Sequence, residues 1–328
     1  MKATTKISIE QMSELSSRII EEVEKAVIGK REVLQFLMAA FLCQGGHILI
    51  EDYPGLAKTL IANSFSRVLG MNFKRVQFTP DLLPGDITGG YVFDGNQNRF
   101  TLRKGPIFTH ILLADEINRA SPKTQSALLE AMQENQVTLE GDTMTLPDPF
   151  IVIATQNPIE YEGTFPLPEA QIDRFIIKLS VGYPLPDEEN EILRRRAERK
   201  QDRVNLNAVI SPETLVAMRK TAEEVYIDSD VRGYIVNLAV ESRKHPRVVV
   251  GASPRGSIAL MKLAKAWAAI SGRNYIVPDD VKKFSQPALA HRIIIDPGLW
   301  DITHSGDNII REITKSVAVP VLQAENEQ

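Results

Sequence analysis

HILIEDYPGLAKTLI, residues 47–61, places an apolar run, a proline-glycine turn and a lysine-threonine pair in succession. The run 47–50 reads as a buried strand, and the pattern from Lys58 through LIANSFSRVLG reads as a helix. A strand, a tight turn and a helix opened by Lys-Thr is the arrangement of a phosphate-binding loop. Backbone N–H groups there converge on an anion at a helix N-terminus, a lysine reaches the outer phosphates, and a hydroxyl meets a magnesium ion. Lys58 and Thr59 occupy those last two positions. The pattern is degenerate, because the two glycines of GxxxxGK[ST] fall on Asp52 and Ala57, with Gly55 between them. Taken alone, the stretch favours a phosphate-binding loop over an ordinary strand-to-helix turn without deciding between them.

A second motif bears on that choice. THILLADEINRA (109–120) is an apolar strand ending in Asp115-Glu116, which predicts two carboxylates at the C-terminal edge of a parallel sheet, where nucleotides bind in this architecture. Asp115 is placed to hold magnesium and Glu116 to polarise an attacking water. FIVIATQNP (150–158) puts Thr155 and Asn157 at another strand end, LPEAQIDRF (167–175) puts Arg174 just before a strand, and GASPRGSIAL (251–260) puts Arg255 at a helix start, with Ser253 as N-cap and Pro254 at N1. Each of these also has a plain structural reading, as an Asx-type turn or a surface ion pair.

The 328 residues suggest two domains, and 43% apolar with 24% charged residues exclude a largely disordered chain. With 38 basic against 42 acidic side chains the net charge is −4, so no global basic field holds a phosphate polymer. Cys43 is the one cysteine, which excludes a disulfide framework and a thiolate zinc site; it is expected to be buried, in a reducing cytosol. No apolar run approaches the ~18–20 residues that span a bilayer. Glu10 and Glu14 interrupt any signal-peptide core, so the expected location is cytoplasmic. The five histidines, His304 among them, show no metal-ligand spacing.

Strands are predicted at 47–50, 73–78, 111–114, 150–154 and 175–179, several as continuous apolar runs suited to a parallel sheet covered on both faces. Beyond about residue 180 helices are expected at 187–200, 211–225, 229–244, 254–271 and 278–291, with no strand run. The turn GYPLP (182–186) predicts a boundary between an α/β domain, 1–182, and an all-α domain, 183–328. The stripe Leu128, Ala131 and Met132 reads as helix core, and RRRAERK (194–200) as a solvated helix face.

Together the motifs resemble the AAA+ ATPases, and within them the MoxR group. EDYPGLAKT looks like the Walker A segment, ILLADE Walker B, IATQNP sensor 1, EAQIDRF the arginine-finger segment and GASPRG sensor 2, and the likeness runs from VIGK (27–30) to HRI (291–293). It implies an α/β fold: an AAA+ P-loop core with a parallel five-stranded sheet, followed by a small all-α lid. It implies Val27, Ile28 and Gly29 against adenine, and Tyr53, Pro54, Gly55, Leu56, Ala57, Lys58, Thr59 and Leu60 around the nucleotide. Mg2+ is expected on Thr59 and Asp115, with Glu116, Asn157, Arg174 and Arg255 acting in ATP hydrolysis. Residues 80–108 occupy the place of the helix-2 insert, with prolines and glycines that favour loops and a hairpin, and 137–147 resembles the presensor-1 hairpin.

The likeness further implies a homo-oligomeric ring, commonly a hexamer, with Arg174 reaching a neighbour's ATP and Arg255 acting from either side. Such a machine remodels a protein client, matures it or assists its metal insertion, often beside a von Willebrand factor A domain protein. The alternatives are a nucleic-acid motor of the helicase-related branch and a nucleotide-controlled scaffold with little turnover. The 137–147 segment carries Glu140 and Asp142 but no Lys or Arg, and 80–108 sets Arg99, Arg103 and Lys104 against Asp81, Asp86 and Asp94. That charge pattern favours a protein surface over a phosphate backbone.

Overall fold

A computed structural model of the chain describes residues 6–96, 98–158, 164–296, 298 and 305–320; the reading of His304 lies outside them. Two helices come first, α1 (Ile9–Glu24) and α2 (Arg31–Phe41). Ser8 and Gln11 close a capping box on α1, whose apolar stripe Met12, Ile19, Ile20 and Val23 faces inward.

Strands and helices then alternate: β1 (Ile48–Glu51), α3 (Lys58–Val68), β2 (Phe73–Gln77), the single-turn α4 (Pro84–Thr88), the hairpin β3 (Gly89–Asp94) and β4 (Arg99–Lys104), then β5 (Ile111–Asp115) and α5 (Pro122–Glu134). A second hairpin, β6 (Gln136–Leu139) and β7 (Asp142–Thr145), precedes β8 (Ile151–Gln156), the short α6 (Glu169–Ile172) and β9 (Ile177–Leu179). Five strands form one parallel sheet in the order β2-β5-β8-β1-β9. β5 is buried throughout, and alternate residues serve different cores. Ile111 and Leu113 face α1, α2, α3 and the C-terminal helices, while Leu112 and Ala114 face Leu128, Leu129 and Met132 of α5. The predicted strands, and the predicted core stripe of α5, hold to within two residues.

The C-terminal part carries α7 (Pro186–Arg199), α8 (Pro212–Glu223), α9 (Ser229–Lys244), β10 (Val248–Val250), α10 (Pro254–Ile270), α11 (Pro278–Leu289), β11 (Ile294–Ile295) and α12 (Gly306–Ser316). Proline opens α7, α8, α10 and α11, where its missing N–H costs nothing. The expectation of no strand beyond residue 180 is corrected: β10 and β11 pair antiparallel. Runs of three and two residues are too short to show a period, and their partner lies across α10 and α11. The cationic face of α7 is solvated as expected, with Arg194 and Arg195 both on Glu191 at 2.7 Å. Among the described residues no helix is long and apolar enough to cross a membrane.

Cys43 is buried, its Sγ donating to Ala39 O at 3.3 Å, and burial pushes its thiol up to about 12. His47 leads into β1, buried between Met132 O on Nε2 and Val152 N–H on Nδ1, each at 3.0 Å. Burial pushes its pKa down to about 4, and burial beside Arg292 also lowers that of His291. Unfolded histidine protonates near 6.5 and native His47 does not, so stability is full above about pH 6.5 and declines as pH falls toward 4. Denaturant unfolding should lose up to about 3 kcal/mol over that window from His47 alone, and His47→Gln should flatten the slope. An unchanged slope in the variant would place the acid sensitivity elsewhere.

Candidate functional site

Parallel strands deliver their C-terminal ends to one edge, and there a cavity of about 390 Å3 is lined by Pro54 to Leu60 with Arg75, Asp115, Glu116 and Asn157. The turn feeding it has Gly55 at φ 83° and Ala57 at φ 56°. Ala57 thus adopts the left-handed conformation that glycine takes in the generic loop, at a cost of about 1 kcal/mol. α3 begins at once with Lys58 and Thr59, so its unpaired N–H groups face the cavity. The Lys58 ammonium donates to Asp52 O at 2.5 Å and Tyr53 O at 3.0 Å. Burial lowers its pKa, against the opposing pull of the Asp52, Asp115 and Glu116 carboxylates. An anion at a helix N-terminus beside a lysine fits this cavity, and the hydroxyl of Thr59 with the carboxylate of Asp115 offers the oxygen donors that Mg2+ prefers.

The register explains the carboxylates. Ile50 aligns with Thr155, and Gln77 with Asp115, so Gln77, Asp115 and Thr155 stand side by side at the sheet's C-terminal edge. Thr155 Oγ1 donates to Asp115 Oδ1 at 2.6 Å and accepts Glu116 N–H at 2.8 Å. Arg75, two residues before Gln77 on the same face, donates to Asp115 Oδ2 through Nε at 3.0 Å and a terminal nitrogen at 2.7 Å. That same nitrogen meets Gln77 Oε1 at 2.9 Å, and Gln77 Nε2 donates to Glu116 Oε2 at 2.7 Å, where Arg119 also donates at 2.8 Å. The two carboxylates are therefore joined by a continuous Arg75–Gln77 bridge.

Arg174 and Arg255 lie at the other end of the sheet. A cavity of about 240 Å3 is lined by His47, Met132, Asp173, Arg174, Arg255, Lys262 and Arg292 among others, and shares no residue with the first. Arg174 donates to Leu129 O at 2.5 Å, and its buried Nε meets no partner. Arg255 stands 3.9 Å from Asp173. Ser253 is the N-cap of α10 by backbone, with Pro254 after it, but its hydroxyl turns to Asp173 Oδ2 at 3.4 Å rather than capping the helix. Arg292, 3% exposed, holds Asp173 Oδ1 at 2.8 Å and the carbonyl of Phe175 at 2.7 Å.

Other expected site residues disperse. Val27 is buried in the larger core, and neither it, Ile28, Gly29 nor Tyr53 lines the phosphate cavity. Tyr53 is 6.3 Å from Tyr183, and a side chain at Gly29 would strike the Glu188 carboxyl group. Sequence reasoning missed Arg75, Gln77, Asp173 and Arg292. The alternating FKRVQF carried the only signal for the first two, since side chains two apart share a face.

Comparison with known proteins agrees with this geometry. Residues 47–177 match the ATPase family associated with various cellular activities (AAA), and residues 240–322 match the AAA lid domain. The Bacillus subtilis (strain 168) protein YeaC is 45% identical over 95% of this chain and 97% of its own length. Chaperone MoxR1 of Mycobacterium tuberculosis is 38% identical over 95% of this chain and 84% of its own. A crystal structure of a candidate ATPase from Cytophaga hutchinsonii superposes with a TM-score of 0.88 at 37% identity, covering 95% of this chain and 97% of that one.

Thr155 generates a prediction. Thr155→Val keeps the volume but removes the donor on Asp115 and the acceptor for Glu116 N–H, so hydrolysis should fall by about tenfold or more and stability by about 1–3 kcal/mol. ATP affinity, read by titration, should stay within about threefold, because neither lost bond touches the phosphate turn.

Proposed function

Because the chain belongs to the MoxR group of AAA+ ATPases, we propose that it hydrolyses ATP between the subunits of a ring, as AAA+ proteins commonly do, to remodel or mature a protein client. The observation that carries this reading is the separation of the two cavities. Lys58, Thr59, Asp115, Glu116 and Asn157 line one at the C-terminal ends of the strands, whereas Arg174 and Arg255 line another beside His47, which precedes β1. Four residues of β1 at ~3.3 Å each put about 13 Å of strand between them, beyond an arginine's reach. On this reading each copy carries a phosphate site whose own arginine, Arg75, is committed to Asp115, and a finger, Arg174, with no phosphate site beside it. Two copies side by side complete one another.

On this proposal Glu116 polarises the attacking water, Thr59 and Asp115 hold Mg2+, and Asn157 orients the γ-phosphate. Arg174 and Arg255 both act in trans, each supplying positive charge to the transferred phosphoryl group. The nucleotide-binding unit ends near residue 182, the lid follows, and the ring is a cytoplasmic hexamer.

The hairpins support a protein client rather than nucleic acid. Tyr91 Oη donates to Asp142 Oδ2 at 2.6 Å, tying the two hairpins into one projection. Phe93 and Phe100, paired across β3 and β4 with ring centroids 5.4 Å apart, are 53% and 68% exposed. Their rings meet edge to face, which suits an apolar peptide segment better than a stack of bases. A metal-carrying client or a von Willebrand factor A domain protein is the partner this reading favours.

Mixing tests the interface. Arg174→Ala and Glu116→Gln should each be nearly inactive, the second while still binding Mg-ATP, because an amide cannot take a proton from water. Mixed rings, verified by native mass measurement, should recover part of the activity, and the recovery should fade on dilution. Mixed rings that never recover would move Arg174 into its own subunit's site or require a fully competent ring. For the client, Phe93→Ser with Phe100→Ser should leave basal hydrolysis within about twofold and abolish cross-linking of the hairpin to polypeptide in ATP-trapped Glu116→Gln rings. Recovered nucleic acid in place of polypeptide would favour the motor.

A further inference from the structure

Asp52 stands where the generic phosphate-binding turn has its first glycine, and its surroundings give that departure a purpose. It is 6% exposed, and its carboxylate is ringed by donors. Tyr53 N–H reaches Oδ1 at 3.0 Å, while Val181 N–H at 2.6 Å, Gly182 N–H at 2.8 Å and the Ser180 hydroxyl at 3.1 Å all reach Oδ2. Its backbone is engaged as well. The N–H donates to Gln156 O at 3.1 Å, next to Asn157, and the carbonyl accepts the Lys58 ammonium at 2.5 Å. One residue thus joins the lysine of the phosphate turn, the end of β8 and the 180–182 segment.

That segment leads straight into the C-terminal helices. Tyr183 O accepts the Lys30 ammonium at 2.8 Å, and Glu188, in the first turn of α7, lies against Gly29. Gly182 sits at φ 67°, a left-handed conformation that glycine adopts without strain, so the chain turns there from the Asp52 contacts toward α7.

We propose that Asp52 is a positioning residue that couples occupancy of the phosphate turn to the placement of α7 and the helices beyond it. The proposal rests on the reading of Lys58 as a phosphate ligand. The Lys58 ammonium is satisfied by the carbonyls of Asp52 and Tyr53. Phosphate oxygens bear formal charge and outcompete two neutral carbonyls, so binding strips the donor from both. The carbonyls of Asp52 and Tyr53 then lose that cation and the turn can shift, while Tyr53 N–H stays on Asp52 Oδ1 and Oδ2 stays fastened to the amides of Val181 and Gly182. A shift of the turn is therefore carried through the Asp52 carboxylate to the 180–182 segment. By linkage, restraint of that segment sets nucleotide affinity in return. Glycine at position 52 could bind phosphate but could not carry this signal.

Hydrogen exchange of the amides at 181–190, with and without the non-hydrolysable analogue AMP-PNP and Mg2+, tests the link. In the wild-type protein saturating analogue should change exchange there at least fivefold. In Asp52→Asn the carboxylate charge is lost, so exchange at Val181 and Gly182 without nucleotide should rise at least tenfold. Analogue should still bind within about tenfold of wild-type affinity by titration, yet the nucleotide-dependent difference at 181–190 should shrink below twofold. A residue that merely supports the fold would lower the melting temperature and leave that difference intact. A persistent difference in nucleotide-saturated Asp52→Asn overturns the proposal, as does a wild-type protein that binds analogue with no change at 181–190. A wild-type protein that binds no nucleotide at all overturns the phosphate reading together with it. Should Asp52→Asn fail to fold, Ser180→Ala removes one donor at an exposed position and should reduce the difference at least twofold; an undiminished difference again overturns the coupling.

Discussion

A parallel strand cannot turn directly back into its neighbour, so every connection in the β2-β5-β8-β1-β9 sheet is a crossover, and all five C-terminal ends lie on one edge. That constraint assembles the phosphate site from segments distant in sequence. Asp115, Thr155 and Gln77 stand together because they fall at the C-terminal ends of their strands in one aligned row. The same constraint sends α5 back across the sheet, so its last residues, with Met132, stand beside His47 at the opposite edge. Topology thus places the phosphate cavity and the Arg174 cavity at opposite edges, the separation that the proposed ring would close.

The second edge is organised by the pair Asp173–Arg292. Both partners are largely removed from solvent, and Arg292 spends its remaining donors on the carbonyls of Asp173, Phe175 and Ile176. Burying such a pair costs desolvation that Coulomb attraction offsets only when the remaining polar atoms are also met. Its consequence is placement: the lead-in to β9 is fastened to the segment after α11, and the start of α10 is drawn to the same carboxylate through Ser253 and Arg255. Truncating Arg292 would leave Asp173 without its buried partner and release the residue next to Arg174, which makes Arg292 a determinant of where Arg174 points.

The parts that could be read beforehand are those encoded locally. Continuous apolar runs marked β1, β5 and β8, and Asp-Glu at the end of one of them marked the carboxylates. Lys58-Thr59 after Pro-Gly marked the turn. Long-range partners left no such mark. Arg292 sits in HRI with nothing nearby to say that it crosses to Asp173, and β10 finds β11 across two helices. Position 57 had seemed a loss, since alanine replaces the expected glycine, but the structure keeps the left-handed backbone and lets alanine bear the strain. Position 52 is the opposite case: no property of a lone aspartate in EDYPG reveals donors 128 to 130 residues away.

Nearly every group expected to meet ATP has an internal partner. Lys58 is on its own turn's carbonyls, Asp115 on Arg75 and Thr155, Glu116 on Gln77 and Arg119, and Arg174 on Leu129 O. Half-buried charges demand such partners, because an unmet one costs more than a hydrogen bond returns. On the proposed reading, binding is therefore an exchange of partners rather than a gain of new ones, and the bonds released are as informative as those formed. The partners are also chained. Arg75 holds Asp115 and, through the same nitrogen, Gln77, which in turn holds Glu116. A Mg2+ ion held by Thr59 and Asp115 on the proposed reading would compete with Arg75 for the Asp115 carboxylate, so that loading at one carboxylate would be felt at the other.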